Sequence, residues 1–304
     1  MSEKPHIRLP PKASVQETRA LLETAGVYTV CQEASCPNRW ECFGNKTATF
    51  LILGDVCTRN CAFCDIKAGV PLLLNPDEPK SIASAAEKLG LKYVVITCVT
   101  RDDLPDGGAR QFVEVIRAVR AKLPKTAIEV LTSDFDGNVA AIESVLDEKP
   151  EVFNHNIETV ERFTPLLRSK AAYLRSLAVL EHAGRYAPDI PVKSGLMVGL
   201  GESEDEVKKT LEDLRKAGCK ILTIGQYFAP SKNHYPVKET ISEEKFEKYK
   251  TWAKVMGFSA VAAGPMIRSS YNAAGLILPQ SHKVSKKFKN FINQKNGGQK
   301  LLNN

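Results

Sequence analysis

Apolar positions along this chain recur with two different periods. Short runs of aliphatic and β-branched residues lie near Thr49 to Leu53, Tyr93 to Cys98, Ile128 to Leu131, Val152 to Asn156, Val192 to Val198 and Ile221 to Gln226. Their length and bounding turn residues predict six strands. Between them, apolar residues return every three or four positions near Ile82 to Leu89, Gln111 to Leu123, Val139 to Asp147, Tyr173 to Ala183 and Asp205 to Ala217. That is the spacing of helices with one face on a sheet; Phe112, Val115, Ile116 and Val119 form one such stripe. Ser203 and Glu206 predict a capping box for the last of these, and Ser14 with Glu17 predicts another for an N-terminal helix that Gly26 ends. A further helix is expected near Glu243 to Val255, followed by a short apolar run from Phe258 to Ala263. Strand alternating with helix predicts an α/β fold of right-handed units around a parallel sheet, with chemistry at the loops where strands end.

Composition narrows the function classes. The net charge of +7 over 304 residues suggests nucleic acid at first, but the segment after residue 280 contains six lysines and no acid, leaving a nearly neutral body. That tail reads as a solvated end and secondarily as an electrostatic handle for an acidic partner. There is no run of eighteen apolar residues, and the first twelve residues lack the apolar core of a signal peptide. The expectation is a soluble cytoplasmic protein that binds neither nucleic acid nor membrane.

Six of the eight cysteines fall between Cys31 and Cys64. In a reducing compartment such clustering points to metal rather than disulfides. Cys98 and Cys219 stand alone and read as small buried apolar residues. Cys57, Cys61 and Cys64 follow the first strand in a Cys-x3-Cys-x2-Cys pattern, and Cys31, Cys36 and Cys42 precede it in a Cys-x4-Cys-x5-Cys pattern. A structural zinc site wants four ligands, one more than either triplet supplies, whereas a four-iron cube with three cysteines keeps one iron open.

The second triplet, in the first loop of a six-unit βα chain, resembles the radical S-adenosylmethionine (SAM) superfamily. The first triplet, with Glu33-Ala34-Ser35-Cys36-Pro37-Asn38, resembles the auxiliary-cluster motif of lipoyl synthases, and Arg268-Ser269-Ser270-Tyr271 after Gly264-Pro265 resembles the segment that supplies that cluster's serine ligand. The resemblance runs to about Ala274. It implies a partial TIM-type (β/α)6 barrel over residues 49–257, with an N-terminal cysteine-rich extension (1–48), a C-terminal extension (258–280) and a basic tail (281–304). It implies two [4Fe-4S] clusters, one held by Cys57, Cys61 and Cys64, the other by Cys31, Cys36, Cys42 and Ser270. It further implies a sulfurtransferase that uses SAM to insert two sulfur atoms at C6 and C8 of a protein-bound octanoyl-lysine, with the auxiliary cluster as sulfur source. The implied partners are octanoylated lipoyl carriers, namely the lipoyl domains of 2-oxoacid dehydrogenases and the glycine cleavage H protein, and a donor such as ferredoxin or flavodoxin. The alternatives are another sulfur inserter of the superfamily, such as a biotin synthase or a tRNA methylthiotransferase, and a non-catalytic zinc or iron–sulfur protein.

Further stretches match the same family. Asp102 and Asp103, in Arg101-Asp102-Asp103-Leu104-Pro105-Asp106-Gly107-Gly108, are expected near the cofactor, while Asp106 reads as the cap of the next helix and Thr100 departs from the acid or amide expected there. Asn154, Asn156 and Glu158, at the end of the fourth strand, are expected on one face as cofactor contacts, with His155 pointing away as a structural histidine. Arg168, on a matched stretch with Tyr173 and Ser176, is expected at a cofactor carboxylate. Gly199 and Gly201 are too weak a pattern for a phosphate loop. An aliphatic tunnel for the acyl-lysine arm is expected, with no residues to place it.

Overall fold

The computed structural model describes residues 11–277. Its helices are α1 (Lys12–Thr24), α2 (Val30–Glu33), α3 (Arg39–Gly44), α4 (Glu78–Lys88), α5 (Ala109–Lys122), α6 (Val139–Asp147), α7 (Thr164–Leu167), α8 (Tyr173–Tyr186), α9 (Glu204–Lys216), α10 (Glu243–Val255) and α11 (Ala273–Ile277). Its strands are β1 (Tyr28–Thr29), β2 (Thr49–Ile52), β3 (Val56–Cys57), β4 (Lys67–Ala68), β5 (Tyr93–Cys98), β6 (Ala127–Leu131), β7 (Val152–Asn154), β8 (Val192–Val198), β9 (Ile221–Gln226) and β10 (Ala260–Gly264). The short helix α11 belongs to a separate unit beginning at Asn272.

One sheet runs β1-β2-β5-β6-β7-β8-β9-β10, parallel except for β1, and β3 pairs with β4 in a small ribbon. The six expected strands are its centre. The segment from Phe258, expected only as an apolar run in an extension, adds a seventh parallel strand, β10, paired with β9 from Ala260↔Ile221 to Gly264↔Gly225. The partial barrel therefore has seven parallel strands rather than six. The α5 stripe is fully buried, as its spacing requires. The Ser203–Glu206 capping box forms. The one at Ser14 does not: Pro11 occupies the N-cap, α1 starts at Lys12, and Ser14 lies inside the first turn, donating to Pro11 O at 2.8 Å. Proline's fixed φ suits a helix start, so it sets the boundary ahead of the serine. Gly26, at φ +63°, ends α1 as expected.

Inside the barrel a fully buried ion pair joins β6 to β8, Lys193 Nζ lying 2.7 Å from Glu129 Oε1. Such a pair tolerates burial only when its remaining hydrogen-bonding capacity is met. Here Tyr93 Oη and Asn154 Nδ2 both donate to the same carboxylate, at 2.7 and 3.0 Å.

Candidate active site

The second cysteine triplet begins at Cys57, the last residue of β3 in the small β3–β4 ribbon, and is held from several strand ends. Thr58 N donates to Thr100 O at 3.0 Å, Thr100 N lies 3.3 Å from Cys57 Sγ, and Ala62 N donates to Leu167 O at 2.9 Å. Thr100 thus supports the loop through its backbone. From the loop after β9, Tyr235 N donates to Ala62 O at 2.8 Å, and the His234 ring reaches Cys64 O at 3.2 Å.

Arg59, between the first two cysteines of the loop, is the support that sequence reasoning missed. Its guanidinium is buried and binds two carboxylates at 2.8 Å, Asp102 after β5 and Asp134 after β6. Arg175 of α8 holds the other oxygen of Asp134 at 2.9 Å. Burial alone would raise the Asp134 carboxyl, but hydrogen bonds and charge from Arg59 outweigh it and hold it down at about 2. Asp102 and Asp103, expected at the cofactor, are engaged within the protein. Asp102 braces Arg59 and also lines a 380 Å³ cleft with Thr100, Ser133 and Phe135, while Asp103 is bound by Arg101. Asp106 caps α5 as expected, accepting from Gly108 N and Arg110 N at 2.9 and 2.8 Å. The amides of Gly199 and Leu200 are taken by Glu202, at 2.6 and 2.9 Å, so this glycine pair is no phosphate loop.

At the end of β7, Asn156 Nδ2 donates to Glu158 Oε1 at 3.0 Å, and burial raises the Glu158 carboxyl against the opposing pull of Arg168. Arg168, buried near Cys61 and Glu158, donates to Ile157 O and Ser176 Oγ at 3.2 and 2.8 Å. His155 lies between Thr132 O and Ser176 Oγ, both at 3.0 Å, and burial lowers it to about 4. It is a neutral structural group, as expected. Asn154 is fully buried, and its Oδ1 has no hydrogen-bond partner among the described residues. An orphaned acceptor costs on the order of 1–3 kcal/mol, and at a strand end a ligand donor would relieve it.

The first triplet sits on the short helices α2 and α3, ahead of the barrel. Thr29 caps α2 through Gln32 N at 3.3 Å. Asn38 takes the N-cap position of α3 yet makes no cap; its Nδ2 instead donates to Met266 O at 2.7 Å. Tyr271 Oη donates to Glu41 Oε1 at 3.0 Å, and Arg268 lies within electrostatic reach of Cys36. The Arg-Ser-Ser-Tyr segment is thereby laid against the first triplet from more than two hundred residues away, with Ser270 half-buried within it. Gly225 permits this path, because a Cβ there would stand 2.1 Å from Ile267 O.

Within each triplet the thiols are close enough to disturb one another. Burial first, then Cys31 and Cys36, push Cys42 up to about 12; burial, then Cys61 and Cys57, do the same to Cys64. All eight cysteines are free thiols, and among the described residues no three His, Cys, Asp or Glu side chains are arranged to hold a single metal ion. Grouped soft donors fit an iron–sulfur cluster, whose positive irons remove the cost of ionising them.

Known proteins decide between these readings. The radical SAM superfamily model matches residues 51–214. The lipoyl synthase of Caldicellulosiruptor bescii is 55% identical over 88% of this chain and 92% of that protein, and that of Caldicellulosiruptor saccharolyticus is 54% identical over 88% and 94%. This chain belongs to the lipoyl synthase family. Its cofactors are SAM and [4Fe-4S] clusters, and its protein substrate is a lipoyl carrier. Methylornithine synthase, at 14% identity and a TM-score of 0.52 over 94% of this chain and 88% of that one, shares the fold alone. Among the described residues no helix is long and apolar enough to cross a membrane.

Proposed function

We propose that this family member inserts two sulfur atoms at C6 and C8 of an octanoyl group carried on a lysine of a lipoyl carrier, consuming two SAM molecules, with Cys57, Cys61 and Cys64 holding the catalytic cluster and Cys31, Cys36, Cys42 and Ser270 the auxiliary one. When bound, these groups supply the radical that removes unactivated hydrogens and the sulfur that replaces them. The chain's residues position and enclose. Arg59, braced by Asp102 and Asp134, holds the loop of the catalytic cysteines; Asn154, Asn156, Glu158 and Arg168 receive the cofactor's polar groups, the Asn154 orphan oxygen among them. The observation that carries the two-cluster reading is the joining of Asn38 to Met266 and of Glu41 to Tyr271, since nothing in the barrel itself requires that pairing.

Octanoylated lipoyl domains of 2-oxoacid dehydrogenases and the glycine cleavage H protein are the proposed carriers, ferredoxin or flavodoxin the electron donor, and the cytoplasm the compartment. The test is mass spectrometry of an octanoyl-lysine peptide after anaerobic turnover. A product with two sulfurs replacing two hydrogens is expected; unchanged peptide beside consumed SAM would reject this substrate.

A further inference from the structure

A line of buried and half-buried polar contacts runs between the two proposed sites, and its midpoint is Ser269. The Ser269 hydroxyl donates to Asn156 Oδ1 at 2.7 Å and accepts from Asn154 Nδ2 at 2.9 Å. Asn154 continues to Glu129 and the buried Lys193, while Asn156 continues through its Nδ2 to Glu158, beside Arg168 and Cys61. On the other side, one peptide away, stands Ser270. Gly195 makes room for this seat, because a Cβ there would meet Asn156 Oδ1 at 2.7 Å. A carboxamide surrounded by solvent can turn over. With Ser269 donating to its oxygen, Asn156 must present its amide to Glu158, so the serine sets the orientation of two groups on the cofactor side.

We propose that Ser269 is a positioning residue that couples the two sites, seating the Arg-Ser-Ser-Tyr segment on Asn154 and Asn156 so that holding Ser270 at the first triplet and binding SAM at the strand end favour each other. The inference rests on the two-cluster reading above. Coupling of this kind is reciprocal: whatever releases the segment from the first triplet weakens SAM binding, and bound SAM steadies the segment. Loss of the auxiliary cluster in turnover would therefore loosen the cofactor site, so that a spent enzyme binds SAM less well than an intact one.

The test is a double-mutant cycle read in SAM dissociation constants, by equilibrium dialysis on the full chain after anaerobic reconstitution. Ser269→Ala removes the seat, Cys36→Ala removes the auxiliary cluster, and the pair removes both. Each single change is expected to weaken binding by about two- to tenfold, the range of one buried neutral hydrogen bond, and the pair no more than the larger single change. Unchanged binding in Ser269→Ala, or single effects that multiply in the pair, would overturn the coupling. Iron content separates this failure from that of the parent reading: Cys36→Ala should fall from about eight irons to about four, and if it keeps all eight, both the auxiliary site and the coupling are rejected. Should Ser269→Ala lose the catalytic cluster, Ser269→Thr, which keeps the hydroxyl, must restore both cluster and coupling; failure of both variants rejects the role.

Discussion

Around Cys57 to Cys64, support comes from neighbouring strand ends of the barrel: Thr100 after β5, Asp134 after β6, and Tyr235 and His234 after β9, with Arg59 tying the loop to two carboxylates. Around Cys31 to Cys42, two side-chain hydrogen bonds, Asn38 to Met266 and Tyr271 to Glu41, reach a segment at the other end of the sequence, and Ser35 donates to Asp65 just after the other triplet. The first loop cannot move without breaking buried ion pairs. The second site is closed by one short segment, which is itself seated on the end of β7 through Ser269 and Asn154. Under the proposed function, the reused centre has the first kind of support and the centre that gives up its sulfur the second.

The largest effect expected from breaking this contrast is at Asp134. Asp134→Asn removes a fully buried charge between Arg59 and Arg175, and a buried pair deprived of one partner costs about 3–5 kcal/mol. Urea unfolding of the apo protein should show that loss, while iron at the first triplet is retained in reconstituted protein that still folds. Next comes His155, which braces Ser176 and Arg168 on the catalytic side. Its folded value of about 4 lies below its ordinary 6.5, so the unfolded chain takes up the proton first as pH falls. Its contribution is fully present above pH 6.5 and is lost by about pH 4, amounting to about 3 kcal/mol. The difference in pH-dependent stability between the natural chain and His155→Gln isolates it; parallel curves for the two would refute it. Gly225→Ala should displace Ile267 and the segment beyond, at about 1–3 kcal/mol, and lower auxiliary-cluster occupancy without lowering the catalytic one. The smallest change is Tyr271→Phe, which removes one bond to Glu41, about 1 kcal/mol, and should speed auxiliary iron loss to a chelator while catalytic iron loss stays unchanged.

The same contrast governs what was legible in the sequence. Strands and helices with a full period, such as β5, β8 and α5, can be read directly, and the cysteine spacings carry the chemistry. The strand β10 escaped because Ala-Val-Ala-Ala-Gly is short, small and only half-buried, and two-residue strands such as β1, β3 and β4 have no period to detect. The cap at Ser14 was misplaced because proline set the helix start three residues earlier. Arg59 left a faint signal, an arginine inside a metal-type loop, but its partners lie on two other strands and only the fold brings them to it. Asp102 and Asp103 look alike in sequence, yet one braces that arginine and the other pairs with Arg101 in its own loop. The pairing of Asn38 with Met266 has no local signature; the resemblance of the Arg-Ser-Ser-Tyr segment pointed to Ser270 at the first triplet but not to this bond.

The division of labour between the triplets is tested most directly by following 5′-deoxyadenosine and sulfur transfer together in anaerobically reconstituted Cys36→Ala and Cys61→Ala chains. The account predicts that Cys61→Ala makes neither 5′-deoxyadenosine nor lipoyl product, whereas Cys36→Ala still cleaves SAM but transfers no sulfur. Lipoyl product from either variant, or full SAM cleavage by Cys61→Ala, would contradict it.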